Sequence, residues 1–571
     1  MSSQVSGSLI TRKYGNFRGV DFTNRYDEVN VYRSPDALNV WKNYKSTQGR
    51  SIETRPTESL YDTFDNTIYG IFFYEINSQV HSIVHSGTKL YDVFNGGKTL
   101  IYSGLKPSKS QSFVYANIFY LKDGLNYLEY NGETCAEVVG FIPTTSISRI
   151  PAGGGTLYQD LNLLSDYRIN TFVGDGTSTD YYVDVKSFDN ETPIVKILND
   201  NGVWVQTTDF TSYPLEGRIS FNTAPAEPNT DGQDNVSIQF KKVVPGNRNL
   251  INKCDLLEVF DNRVFFSGNI DTPNTIYHSS LDNPRYVSID DFYTEGLDIA
   301  PVKTMVAGNN ALWVIKAPSQ SNTTIYYHNP VIDSEYGKTY PSIHSSISIG
   351  CTSTGRNFND DIIFFSPRGM EGISGDVTTE QVIAHRSSLI DGKLLNETNY
   401  NKLQLEEWQG YLLVIVDNKI YLADSREKAQ INDHIEYEWY YWEFKENITY
   451  AKVYNDELYL CCDNKVYRLD GTEDIESYWC TLQDEFNYPH YQKTTNKRGF
   501  VADMEGEAIV YSRINNEKFE KIDKFKNKKG YVVPRLKAKK WKSIQIKFLS
   551  KKRFNLYSFT LEAYVGAYLK R

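Results

Sequence analysis

Short apolar and aromatic runs recur along the chain, each broken by Asn, Asp or Gly. TIYGIFFYEIN, SFVYANIFYLKDGLNYLEYNGE, LLEVFDNRVFFSGN, TMVAGNNALWVIKAP and ITYAKVYNDELYLCCDNKVYRLDG are examples. A strand, a tight turn of residues that tolerate positive φ, and an answering strand account for this pattern. No long helical period competes with it. Four stretches share one grammar: 257–268, 306–317, 406–424 and 451–470 each run from a strand through a polar turn into an aromatic-rich strand. Recurrence at roughly 40 to 50 residues is what β-propeller blades produce, because each four-stranded blade needs neighbours to cover its faces. The pattern predicts an all-β fold, a β-propeller of about six or seven blades.

Two regions break the rhythm. From AGGG at 152 to about 245, short strands alternate with Asn-Gly and Asp-Gly turns, which predicts a compact β-sandwich inserted between blades. From Trp479 the chain turns strongly basic and then strand-like. The predicted organisation is an N-terminal docking segment with the first strands at 1–60, the first blades at 61–150 and the inserted sandwich at 151–246. The remaining blades follow at 247–478, and a basic C-terminal docking segment with terminal strands at 479–571.

At 571 residues the chain is longer than one hydrophobic core supports, and 43 Tyr and 29 Phe beside only 4 Met suit pleated, half-buried surfaces. A net charge of -10 excludes a general attraction to nucleic acid. Six cysteines without CxxC spacing predict reduced thiols rather than a disulfide framework. Cys461 and Cys462 alternate across a strand and read as packing residues, not a redox pair. Neither a secretion signal nor a membrane span is expected.

The stretch most like a site is GDGTSTD (174–180). It lacks the acidic spacing of a calcium loop, with Thr177, Thr179 and Lys186 where ligands belong, and it lacks the lysine of a phosphate-cradling loop. A hairpin turn with Gly174, Asp175 and Gly176 at positive φ is the expected alternative. His81 and His85 share a strand face in HSIVH, but no further ligand lies nearby in sequence, so no metal is assigned. Asp360 with Asp361, or Glu406 with Glu407, offers the paired carboxylates of a glycosidase, yet acids beside strand ends are more often solvated. No catalytic residue and no cofactor are assigned.

The N-terminal segment GNFRGVDFTNRYDEVNVYRSPDALNVWKNYKSTQGRSIETRPTESLY contains Ser34, Pro35, Asp36, Ala37, Leu38, Asn39 and Val40, followed by Arg55 and Pro56. It resembles the opening of bacteriophage tail hub, nozzle and stabilisation proteins. The ending, PRLKAKKWKSIQIKFLSKKRFNLYSFTLEAYVGAYLKR, is similar to the terminal segment of the same family, and the insert resembles a sandwich module of phages of Gram-positive bacteria. The resemblance implies a non-enzymatic virion protein of the tail or neck. Copies would form a ring, possibly a hexamer, below the portal and its adaptor, with genomic DNA passing through without specific binding.

The basic tail and one aromatic cluster supply the expected contacts. Arg535, Lys537, Lys539, Lys540 and Lys542, with Trp541, are expected to dock on another copy or on an acidic adaptor ring, together with Pro35 and Trp439; DNA contact and a merely solvated face are the alternatives for the basic run. In EYEWYYWEFKE (436–446), alternation is expected to turn one aromatic set outward, toward a neighbouring subunit or a glycan. The rival expectations are a host-recognition protein that binds cell-wall glycan and a hydrolytic tailspike.

Overall fold

The computed structural model describes residues 7–45, 51–76, 78–244, 246–319, 323–333, 337–345, 349–374, 382–431 and 434–568. Among them, seven four-stranded antiparallel blades stand around one axis. Their innermost strands are Ile68–Ile76, Gln111–Tyr115, Leu256–Phe260, Val302–Gly308, Gly355–Phe358, Gln404–Trp408 and Tyr450–Tyr454, and each touches the innermost strands on both sides. The last blade takes its outer strand, Thr57–Thr63, from near the start of the chain, with Leu60 opposite Tyr467. This closure removes the open edge that an unclosed ring would expose.

The first hairpin of most blades explains why the repeat was visible. Consecutive residues with φ near +50° to +75° occupy its turn: Ala116 and Asn117, Asp261 and Asn262, Asn309 and Asn310, Asn359 and Asp360, Gln409 and Gly410, Asn455 and Asp456. A two-residue turn with both central residues left-handed matches the twist of the strands it joins, and Asn, Asp and Gly adopt it at least cost.

The inserted sandwich leaves after Cys135–Glu137 and returns through the helix Asn247–Asn252. A six-stranded and a three-stranded sheet close over Phe172, Tyr181, Val195, Ile219, Val236 and Ile238.

The two ends of the chain, expected as separate docking segments, fold together. Strand Tyr491–Ile514 pairs along its first part with Phe554–Tyr568 and along its last part with Ile544–Ser550. Register shifts after Thr495, Asp503 and Gly506 bend it. Its two halves thereby close a core in which Phe548 lies 5.1 Å from Phe559 and 6.2 Å from Phe500. Leu9–Tyr14 adds to the far side of Phe554–Tyr568. Ile52–Thr54 and Val40–Trp41 carry the same sheet across to His434–Glu443, the outer strand of the sixth blade.

Candidate docking interface

After strand Glu520–Val532 the chain alternates strictly in burial through Lys539. Val532, Pro534, Leu536 and Ala538 turn inward, while Tyr531, Val533, Arg535, Lys537 and Lys539 turn outward. The inward set anchors the row: Thr495 N donates to Ala538 O at 2.9 Å, and Ala538 N donates to Thr495 Oγ1 at 2.9 Å. Among the described residues strand Glu520–Val532 pairs with Tyr491–Ile514 alone, and along it Lys521, Lys526 and Lys528 are exposed. Part of the tail's charge is compensated within the chain: Lys524 pairs with Glu507 at 2.8 Å, Lys542 with Glu485 at 3.0 Å and Lys547 with Asp36 at 3.1 Å. Arg535, Lys537, Lys539 and Lys540 have no ion-pair partner among the described residues.

The other predicted docking residues are corrected by burial. Trp541 is fully enclosed, its ring 5.4 Å from that of Phe486 and exchanging backbone hydrogen bonds of 2.7 and 3.0 Å with Lys493. Trp439, on the outer strand of the sixth blade, is equally enclosed, and Pro35 is buried in the N-terminal segment. None of the three offers surface to a partner. The outward aromatic set expected in 436–446 does not exist either, because every side chain from Glu436 to Trp442 is buried. The N-terminal segment covers the face that was expected to be free. Gly19, at φ +111°, lies directly against Trp439 O, where a Cβ has no room, and Tyr440 donates to Phe17 O at 3.3 Å.

A second surface comes from segments far apart in sequence. Leu38, Arg55, Glu58, Glu443, Phe444, Lys445, Glu446, Cys462, Tyr467, Glu473, Asp474, Ile475 and Glu476 line an open cleft of about 630 Å³ between the terminal module and the seventh blade. Arg55 forms its floor, stacked 4.0 Å over Phe444 and donating to Glu443 O at 3.0 Å. Burial lowers the Arg55 pKa, against the pull of Glu58. Glu446 pairs with Lys465 at 3.2 Å and Asp474 with Lys552 at 3.8 Å, whereas Glu473 and Glu476 form no ion pair among the described residues and Glu443 interacts with Lys393 only at longer range. Acids therefore dominate the rim. Sequence inspection missed this cleft because no local run of acids marks it.

The remaining candidates are occupied by their own surroundings. Asp175 accepts from Thr177 N at 2.9 Å and from Ser178 N and Ser178 Oγ at 2.6 Å each, and these bonds hold its pKa well below the usual carboxylate range. The turn expected at GDGTSTD is present but differs from a hairpin. Strand Tyr167–Phe172 belongs to the six-stranded sheet and Asp180–Tyr182 to the three-stranded one, so the loop crosses between sheets, and of its first three residues only Gly176 has positive φ, at +68°. His81 bonds Asp92 at 2.8 Å, and His85 bonds Ser110 Oγ at 3.0 Å, with burial lowering its pKa to about 4. Asp361 is clamped by Arg386 at 2.7 Å, and Glu406 faces Arg356 at 3.5 Å. Cys461 and Cys462 are both buried, and desolvation raises their pKa values.

One cluster had no signal in sequence. His385 Nε2 lies 2.6 Å from Asp391 and 3.4 Å from Ser387 Oγ, and Nδ1 lies 3.4 Å from Glu371. Burial lowers the imidazole pKa, but the bonds to Asp391 and Glu371 outweigh it and raise the value to about 10. The ring is therefore a cation at neutral pH and accepts no proton, while Ser387 donates to Asp391 at 2.6 Å. The cluster pins the fifth blade to the following helical turn; it is not a nucleophile with its base. Among the described residues no group of three or more His, Cys, Asp or Glu side chains is arranged to hold a metal ion, and no helix is long and apolar enough to cross a membrane.

No known protein family matches the chain, and no curated protein matches it. It is similar to the solved structure of a streptogramin B lyase at 10% identity and TM-score 0.34, covering 72% of this chain and 96% of the other. BamB from Moraxella catarrhalis is similar at 10% identity and TM-score 0.33, over 73% of this chain and 97% of that one. Kluyveromyces lactis Hsv2 follows at 11% identity and TM-score 0.26, over 66% and 97%.

Proposed function

We propose that the chain is a non-enzymatic structural subunit of a bacteriophage virion, forming a ring in the tail or neck below the portal and adaptor. The ring channels the packaged DNA and helps to retain it. The observation that carries this reading is the outward row Arg535, Lys537 and Lys539 on a chain of net charge -10. A folded surface that concentrates uncompensated cations on an otherwise acidic molecule is suited to docking against an acidic protein surface. The likeness of both ends to tail hub and nozzle proteins supports the same reading. A closed propeller fused to a module woven from both ends supplies a rigid ring segment. The acidic character of the remainder suits a conduit along which DNA moves without drag. Electron microscopy of the virion tests this: a ring of copies below the portal is expected, and isolated trimeric fibres at the tail tip would overturn it.

A second reading has its own observation. On the inserted sandwich, Trp204 is 40% exposed on the edge strand Trp204–Thr207, opposite Leu198 and beside Gln206. An exposed indole next to amides suits stacking against a sugar ring. Recognition of a host cell-wall glycan through the insert follows from it. Binding of the whole protein to purified cell walls, abolished by Trp204→Ala, is the check.

A further inference from the structure

The outward row is more than a run of cations. It begins with Tyr531, 80% exposed, and Val533, 50% exposed, and continues with Arg535, Lys537 and Lys539, every second residue facing outward. An aromatic and an aliphatic side chain held out in water and followed by unpaired cations describe one half of an interface: an anchor beside a charged rim. The inward residues Pro534, Leu536 and Ala538 fix the row in place, so little ordering is lost when it binds.

The cleft between the terminal module and the seventh blade has the reciprocal chemistry. Its interior offers Leu38, Phe444, Ile475 and Tyr467, and its rim offers Glu443, Glu473 and Glu476, none of which forms an ion pair among the described residues. At about 630 Å³ it has room for a tyrosine side chain and its flanking residues. We infer that the row 531–539 of one copy docks in this cleft of a second copy, with Tyr531 in the apolar interior and Arg535, Lys537 and Lys539 against Glu443, Glu473 and Glu476. Donor and acceptor are different surfaces of the same chain, so the contact is heterologous. Repetition of such a contact builds a ring or a filament rather than a closed pair. This inference rests on the proposal that copies assemble with one another, and it names the surfaces through which they do so.

Charge exchange on the full-length protein tests it, with mass photometry and sedimentation velocity as readouts. Lys537→Glu with Lys539→Glu is expected to weaken self-association at least about tenfold, and so is Glu473→Lys with Glu476→Lys. Mixing the two variants is expected to restore the native contact between the unchanged row of one and the unchanged cleft of the other, and to pair the two reversed surfaces, giving dimers and longer alternating assemblies that neither forms alone. Tyr531→Ala is expected to weaken association without altering charge. All five positions lie on the surface, and thermal melting confirms that each variant is folded. Dimers absent from the mixture, or wild-type assemblies that all the variants retain, would overturn the pairing and leave the ring proposal standing. A wild-type protein that stays monomeric at high concentration would overturn both. Loss of binding to a short DNA duplex in the lysine variant, with self-association unchanged, would assign the row to nucleic acid instead.

Discussion

Arg33 grips Glu438 with two hydrogen bonds of 2.7 Å, from Nε and from Nη2, joining the N-terminal segment to the outer strand of the sixth blade. Glu438 has no exposed side-chain surface, and its other cationic neighbour, Arg18, stands 3.9 Å away. Removing Arg33 leaves a carboxylate buried with one distant counter-charge. Arg33→Met is therefore expected to cost about 3 to 5 kcal/mol in urea denaturation. Arg33→Met combined with Glu438→Met removes both charges and is expected to cost less than the single change.

What the sequence made legible follows from how locally each feature is specified. The blades were readable because pairs such as Asp261 with Asn262 and Asn455 with Asp456 state a two-residue turn by themselves. The cover over the sixth blade was not, because it rests on strands of only two residues, Arg33–Ser34, Ala37–Leu38 and Val40–Trp41, which have no period to detect. Without that cover, alternation in EYEWYYWEFKE implied a wet face. With it, both faces are dry, and Glu436 and Glu438 are buried against Ser388 and Arg33. The basic row was visible as charge, but its division into outward Lys537 and inward Leu536 depends on Thr495, more than forty residues away along the chain.

Trp439 separates a core role from an interface role. Its side chain is fully enclosed, so Trp439→Ala is expected to lower the stability of the isolated chain by about 3 to 5 kcal/mol. Lys537→Ala, on the exposed row, is expected to stay within about 0.5 kcal/mol. Denaturant unfolding of dilute protein compares the two.

The Asp175 turn is expected to be a local device. Asp175→Ala removes the acceptor shared by Thr177 N and Ser178 N. Amide hydrogen exchange at those two positions should accelerate, while exchange in the blades stays unchanged. Because its carboxyl pKa is lowered by these bonds, the turn's contribution is present above about pH 4 and disappears as pH falls through the folded value.

His385 gives stability the opposite dependence on pH. Its folded pKa of about 10 exceeds the ordinary value of 6.5, so the folded state holds a proton that the unfolded chain releases in that window. The contribution is complete below about pH 6.5 and is lost as pH rises toward 10. It amounts to about 2 kcal/mol once solvent screening of the partly exposed ring is allowed for. Burial acts the other way on Lys122 and Lys493, lowering each to about 8, so those two favour folding increasingly from pH 8 upward. The wild-type curve alone mixes the two slopes. The difference between wild type and His385→Gln, measured by urea unfolding from pH 6 to pH 10, isolates the histidine: it is expected to be largest at pH 6 and to shrink steadily. A constant difference would mean that the ring acts by packing and not as a cation between Asp391 and Glu371.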